Sequence, residues 1–494
     1  MITLALCGNG FRYELEAVCR IFAGSAKINI IETDTEPESG DSVFAARRGR
    51  ELFAAVTVAG KRSEERETLE IATDAPEYDR ECERILGILI YRAFSRLTGR
   101  TPHWGVLTGI RPVKLVYKYW ERGFADEDIV RELSERYLVS EKKSRVLLRT
   151  AHREREAVSL SRPESFSLYL AVPFCPTRCR YCSFVSHSID KAGRLVSEYV
   201  ELLQREIERT GAVARSLGLR LETVYMGGGT PTTLSAEQLR AVLGAVRSSF
   251  DFSTVREFTV EAGRPDTITG EKLDALIDCG VDRISINPQT MSDAVLENIG
   301  RRHTAQQTRE AYSLARKRRF KCINMDIIAG LPGDDTGGFR RTVDELIALE
   351  PENITVHTLS IKRAAGLSET GEQLLSAANG TASRMLDYAY DALGASGYLP
   401  YYLYRQKNTL DNLENTGFSR EGFDGLYNIY IMAETHSILA AGAGGVTKLC
   451  APDGRIERSF NYKYPYEYNS RFATVLERKE SVREFYERIE DKTD

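Results

Sequence analysis

Cysteine is scarce in this chain, nine residues in 494, which excludes the disulfide framework that staples small secreted domains. Long hydrophobic runs are missing as well. The N-terminus offers only Ile2–Cys7 before Arg12 and Glu14 interrupt it, short of the roughly 7–15 apolar residues of a secretory core. No stretch reaches the roughly 18–20 apolar residues that span a bilayer. A strong net charge is absent too, with 67 basic residues against 71 acidic ones for a balance of −4. No global basic field recommends nucleic acid as a partner. Internal repeats and low-complexity tracts are lacking beyond the alternation of strands and helices described next. These absences read as a cytoplasmic protein with no membrane span.

What is present is a globular composition, 42% hydrophobic and 28% charged, enough to bury a substantial core. Residues 1–160 read as an α+β unit. Strands are predicted over Met1–Cys7 and Ala26–Glu32, and helices over Phe11–Phe22 and Glu77–Leu97. Glu51–Val58 and Thr68–Ile71 read as a hairpin around the polar Gly60–Glu65 segment, and Asp126–Leu160 as a helical connector. The stretch His103–Pro112 combines Trp104, Gly105, Gly109 and Arg111. It reads either as an aromatic-anchored corner or as a loop turning Arg111 and Lys114 toward an anionic ligand or the neighbouring domain.

After Pro163 the rhythm changes. Strand patterns over Leu168–Val172, Thr223–Met226, Glu257–Glu261, Asp282–Asn287, Cys322–Ile328 and Asn353–Thr358 alternate with helical patterns. Six βα units imply a parallel sheet with outer helices. Because a complete barrel has eight, residues 161–397 are expected to form a partial (β/α)6 barrel in an α/β protein. Residues 398–494, rich in tyrosine and containing Gly442–Gly445, read as a small C-terminal domain.

Six cysteines are scattered, but Cys175, Cys179 and Cys182 form C-x3-C-x2-C directly after the first barrel strand. That places three thiols on one loop at the strands' C-terminal end, where barrel enzymes carry their chemistry. A closed zinc site takes four ligands, for which His187 is the nearest addition. A [4Fe–4S] cluster held by three thiolates would keep one iron open. Gly227-Gly228-Gly229-Thr230 follows the second strand, and consecutive glycines let backbone groups approach a ligand closely. Glu261, Gln289 and Asp326 lie at or near the same ends of strands three, four and five. Each alone is readable as a satisfied strand-end polar group; together they favour a shared ligand.

The C-x3-C-x2-C loop, with Tyr181 before its third cysteine, resembles the signature of the radical S-adenosylmethionine superfamily. That resemblance implies a radical SAM barrel, a [4Fe–4S] cluster on Cys175, Cys179 and Cys182, and S-adenosylmethionine on the open iron, cleaved to methionine and a 5′-deoxyadenosyl radical. The stretches Leu168–Cys175, Gly227–Thr232, Ile299–His303 and Asn324–Pro332 are similar to the oxygen-independent coproporphyrinogen III oxidase group. The Gly-Ile-Arg-Pro loop at Gly109–Pro112, within a long N-terminal extension, is most similar to its HemZ-like branch. By that resemblance Tyr169, Tyr181, Gly228, Gly229, Thr230, Glu261, Gln289, Arg301 and Asp326 contact the cofactor.

The implied reaction is oxidative decarboxylation of two propionates to vinyl groups, giving protoporphyrinogen IX in heme biosynthesis, with reduced flavodoxin or ferredoxin as electron donor. Propionates need cationic partners, for which Lys362, Arg363 and Arg405 are the candidates. The C-terminal region, through Tyr401–Arg405, is expected to close the substrate site. Phe184 stands where the oxidases carry a further cysteine, and Ala171 where they carry a histidine. Heme chaperones share the phenylalanine but carry His-Asn-x-x-Tyr-Trp, against Tyr427-Asn-Ile-Tyr-Ile-Met here. Coproporphyrinogen III and heme therefore both stand as the tetrapyrrole partner.

Overall fold

The computed structural model describes residues 1–24, 26–182, 184, 186–360, 380–406 and 409–490. Its chain clusters into two compact units: residues 1–151 with 369–383 and 403–414, and residues 152–368 with 384–402 and 415–494. Residues 415–494 thus belong to the same unit as the barrel, rather than standing apart as the sequence scheme had it.

The first unit is a five-stranded sheet in the order β2-β1-β3-β4-β5, formed by β1 (Ile2–Cys7), β2 (Ile28–Glu32), β3 (Ser42–Arg48), β4 (Glu51–Val58) and β5 (Lys61–Thr68). The strands' apolar residues, such as Leu4, Leu6 and Val43, pack with Leu15 and Val18 of helix Arg12–Ala23 and with Leu86 and Leu89 of helix Tyr78–Thr98. Two expectations need correction. The polar segment is a turn only at Gly60: from Lys61 it is edge strand β5, whose charged side chains alternate outward, and the turn is the tight pair Ala59–Gly60. The helical connector is two helices, Asp126–Tyr137 and Glu141–Ser159, because Leu138 adopts φ 57° and ends the first.

The Trp104 loop is the aromatic-anchored corner. Trp104 is buried, and its indole N–H donates to Glu414 at 2.6 Å. Glu414 is also paired with the buried Lys143. A Cβ on Gly105 would lie 1.9 Å from the Tyr137 carbonyl oxygen, so this close approach admits only glycine.

The second unit carries the parallel strands β6 (Ser165–Val172), β9 (Arg220–Gly228), β10 (Glu257–Gly263), β11 (Arg283–Gln289), β12 (Cys322–Ala329) and β13 (Asn353–Thr358), all neighbours in one sheet. The short strands β7 (Phe174–Cys175) and β8 (His187–Ser188) lie between the first two in sequence and pair with each other. The predicted six-unit rhythm is the observed one. Residues such as Val224, Val260, Ile284, Ile286 and Ile323 are fully buried, as expected where helices cover a parallel sheet. The helices start on local caps: Ser235 with Gln238 and Thr304 with Gln307 form capping boxes, and Asp335 accepts from the Gly338 N–H.

The sheet does not stop at six. Beyond β13 lie β15 (Glu414–Ser419), antiparallel, and β14 (Leu399–Arg405) at the edge; beyond β6 lie β16 (Ser437–Ala441), parallel, then antiparallel β17 (Val446–Cys450) and β18 (Ile456–Phe460). One buried carboxylate anchors the last of these segments. Glu206, on helix Val196–Ser216, accepts from the Gly442 N–H at 2.7 Å, Asn461 at 2.6 Å and Tyr468 at 2.5 Å, and pairs with Lys479 at 2.5 Å. Among the described residues no helix is long and apolar enough to cross a membrane.

Candidate functional site

Five of the parallel strands, β6 and β9 to β12, deliver the parts of the site from their C-terminal halves or the loops just beyond. The cysteine loop leaves β6 and returns to β8, with Phe174 opposite His187 and Cys175 opposite Ser188. Three neighbours pin it. The Arg180 N–H donates to the Ile299 carbonyl at 3.0 Å, and the Thr177 hydroxyl to the Gly300 carbonyl at 3.3 Å. The Thr230 hydroxyl donates to the Cys175 sulfur at 3.5 Å. Burial pushes the Cys175 thiol up, and the Cys182 thiol up to about 11, with the neighbouring cysteines adding to both shifts. Three thiols on one short loop are a donor set able to hold a metal centre from one side.

No three Cys, His, Asp or Glu side chains among the described residues gather around one metal-ion position.

The glycine loop lies backbone to backbone against this segment. The Gly229 and Thr230 N–H groups donate to the Val172 and Phe174 carbonyls, both at 2.7 Å. A Cβ on Gly229 would stand 2.4 Å from the Phe174 oxygen, and Gly228 has φ 105°. Next to it, Glu261 accepts from the Tyr225 hydroxyl at 2.6 Å. Burial lifts the Glu261 carboxyl to about 7; the Tyr225 bond opposes this, Asp326 reinforces it, and His357 and the Gly228 N–H oppose it again.

Gln289 ends β11 with φ 70°; it is buried, and its Oε1 has no hydrogen-bond partner. Arg301, also buried, donates to the Asn287 carbonyl and, at 3.1 Å, to the Tyr181 hydroxyl, while its Nε has no partner. Burial works against the Arg301 charge, but Tyr181 and Cys179 outweigh it and raise its pKa. Asp326 accepts from Asn324 at 2.7 Å and lies 3.8 Å from the His357 ring. Orphaned buried polar atoms at Gln289 and Arg301 are costly unless a polar ligand engages them. Together with the glycine cradle and Glu261, they suit an amino-acid-like group carrying both an amine and a carboxylate.

The floor of the site joins Tyr169, which sequence reasoning named, to Tyr225 and Tyr427, which it did not place there. Tyr169 lies opposite Tyr225 in the strand register. The two rings stack at 6.2 Å, and Tyr427 stacks on Tyr225 at 4.5 Å and on Tyr169 at 6.2 Å. The signal available was strand alternation, which puts Tyr225 on the same face as Gly227.

The structure thus links the cysteine loop, Thr230, the glycines, Glu261 and Tyr169 as one group, with Asp326 within electrostatic reach, and Tyr181 with Arg301 as another braced against Cys179. The Gln289 Oε1 engages none of them; the residue ends the strand between those of Glu261 and Asp326.

Arg405 requires correction as a propionate contact. It is buried in the first unit, over the Trp104 ring at 5.1 Å, and donates to the Leu107 and Asn412 carbonyls. Burial pulls its pKa down to about 10. Packing around Trp104, not solvent or substrate, claims this guanidinium. Lys362 and Arg363 lie outside the described residues.

Residues 169–346 match the radical SAM superfamily. Over 386 residues the chain is 41% identical to the oxygen-independent coproporphyrinogen-III oxidase-like protein HemZ of Bacillus subtilis (strain 168), covering 77% of each chain. It is 35% identical over 197 residues to the heme chaperone HemW of the same organism, covering 40% of this chain and 51% of that one. Its fold matches the Escherichia coli coproporphyrinogen III oxidase HemN with a TM-score of 0.51 at 20% identity, covering 66% of this chain and 73% of that one.

Proposed function

The chain belongs to the radical S-adenosylmethionine superfamily, in the HemZ-like branch of its oxygen-independent coproporphyrinogen III oxidase group, and from that premise we propose that it oxidatively decarboxylates the propionates of coproporphyrinogen III. The family's [4Fe–4S] cluster and S-adenosylmethionine supply, when bound, one-electron chemistry that removes a hydrogen atom from substrate carbon. Cys175, Cys179 and Cys182 are the residues to hold the cluster. Gly228, Gly229, Thr230 and Glu261 would receive the amino end of the cofactor, and Arg301, with Gln289, its carboxylate. The observation that carries this reading is the grouping of three mutually interacting thiols with the glycine cradle, a carboxyl poised near neutrality and a buried arginine.

The protein's own task is positioning and the exclusion of water. Tyr169, Tyr225 and Tyr427 form a stacked aromatic floor beneath the glycine loop, which keeps water from the reacting carbon and offers a flat face to a flat ring system. Tyr181 and Arg301 lock the cysteine loop to the segment after β11.

A second reading, a heme-binding or heme-transfer protein that retains the cluster, is favoured by Phe184 beside the third cysteine and by the 35% identity to a heme chaperone. Anaerobic incubation with coproporphyrinogen III, S-adenosylmethionine and a one-electron reductant, followed by mass analysis of the tetrapyrrole, separates the two. Loss of two carboxyl groups supports the oxidase. An unchanged tetrapyrrole with tight heme binding supports the chaperone.

A further inference from the structure

Between the first and second cysteines stands Thr177, and behind it stands an arginine that the family resemblance does not assign. Arg264 follows β10 directly, and its side chain is 3% exposed. Its guanidinium is divided between two tasks. Nε and one terminal nitrogen grip Asp266 in a two-pronged pair at 2.9 and 2.8 Å. The other terminal nitrogen turns to the cysteine loop and donates to the Thr177 hydroxyl at 2.5 Å. Thr177 in turn donates to the Gly300 carbonyl at 3.3 Å, so one chain of hydrogen bonds ties the end of β10, the metal loop and the segment carrying Arg301.

The backbone around Arg264 is held as firmly. Its carbonyl accepts from the Thr267 hydroxyl at 2.8 Å, and a Cβ on the preceding Gly263 would stand 3.1 Å from the Thr230 methyl.

The direction of the fork matters. Asp266, the more exposed partner, faces one side of the buried guanidinium and Thr177 of the cysteine loop the other, so the pair is a dipole with its positive end toward that loop. Thr177 stands between Cys175 and Cys179, so the buried guanidinium that holds its hydroxyl lies against the loop that carries those two sulfurs. The neighbouring imidazole adds nothing to this field. Burial, reinforced by Arg301 and Arg264 against Asp266, holds His303 down near 3, so it is neutral at physiological pH. A buried charge is screened little by solvent.

We propose that Arg264 is a positioning residue for the metal loop and that its charge raises the reduction potential of the cluster bound there, because a fixed cation stabilises the more negative, reduced state. This rests on the assignment of the cluster to Cys175, Cys179 and Cys182.

The test compares the full chain with its Arg264→Gln, Arg264→Lys and Asp266→Asn variants, reconstituted anaerobically. Iron per chain is counted and the midpoint potential is followed by electron paramagnetic resonance. With four irons still bound, Arg264→Gln should lower the reduction equilibrium constant about tenfold, which is about 59 mV for one electron. Asp266→Asn, which unmasks the cation, should shift the potential the other way, and Arg264→Lys should stay within about threefold of the wild type. A wild-type potential in a fully loaded Arg264→Gln variant overturns the proposal, as does an equal shift in the Gln and Lys variants. If the Gln variant fails to load, the Asp266→Asn and Arg264→Lys variants decide, and an unshifted potential in Asp266→Asn overturns it. A wild-type chain that binds no four-iron cluster refutes the cysteine assignment itself.

Discussion

Glu261→Gln should remove a large part of the pH dependence of S-adenosylmethionine binding. Burial lifts the Glu261 carboxyl from the ordinary 4.5 to about 7, with Asp326 adding to the shift and Tyr225, His357 and the Gly228 N–H opposing it. Near neutrality, then, half of the protein carries a protonated Glu261, whereas a carboxylate must be ionised to receive an amine. The sign follows: engagement releases a proton, so affinity rises with pH. For a group titrating at about 7, the ionised fraction falls about tenfold between pH 8 and pH 6, equivalent to about 1.4 kcal/mol of binding free energy. The ligand-free fold carries the complementary slope. A carboxyl kept neutral in the fold but ionised in the unfolded chain makes stability fall as pH rises from about 4.5 to about 7. Equilibrium dialysis of reconstituted wild type and Glu261→Gln at pH 6, 7 and 8 measures the effect. Titration of the cofactor's own amine is common to both proteins and cancels in the comparison. The wild type should show about a tenfold steeper change than the variant. Equal pH slopes in the two proteins would refute the argument.

Gly229→Ala forces a Cβ to within 2.4 Å of the Phe174 carbonyl oxygen; it should cost about 1–3 kcal/mol in thermal unfolding and weaken cofactor binding more than tenfold by dialysis. Arg405→Ala removes a guanidinium packed on Trp104 and bonded to two carbonyls. Chemical denaturation should register a loss of about 2–4 kcal/mol, while coproporphyrin affinity of the folded protein stays at the wild-type value. Lys143→Met removes the cation paired with the buried Glu414, which keeps its Trp104 bond; the expected loss is about 3–5 kcal/mol at neutral pH. That loss should shrink in denaturation at lower pH, as Glu414 becomes protonated.

Much of this architecture is written in local pattern. Parallel strands such as Cys322–Ala329 are covered by helices, so their apolar runs stand out, and three clustered cysteines are conspicuous in a chain that has few. Other features depend on contacts distant in sequence. Gly60–Glu65 reads as a polar turn because most of it belongs to an edge strand, Lys61–Thr68, whose charged side chains alternate outward. The break at Leu138 and the turn at Gln289 use positive φ without glycine, which leaves no compositional mark. Strands β16, β17 and β18 extend the barrel sheet through Glu206, some 230–270 residues away from its partners. Tyr427 joins the aromatic floor only after the chain returns from the sixth βα unit. Arg405 looked like a free cation because nothing near it in sequence announces Trp104.

The central claim is that one loop of three cysteines, braced by Thr230, Arg264 and Arg301, holds the cluster to which S-adenosylmethionine binds. The most direct measurement is iron content after anaerobic reconstitution, together with the electron paramagnetic resonance of the reduced protein before and after addition of S-adenosylmethionine. It should be made on the wild type and on a variant with Cys175, Cys179 and Cys182 all replaced by Ala. The account predicts about four irons per chain in the wild type, a spectrum that changes when the cofactor is added, and no cluster in the variant. Four irons retained in the variant, or a wild-type spectrum indifferent to the cofactor, would contradict it.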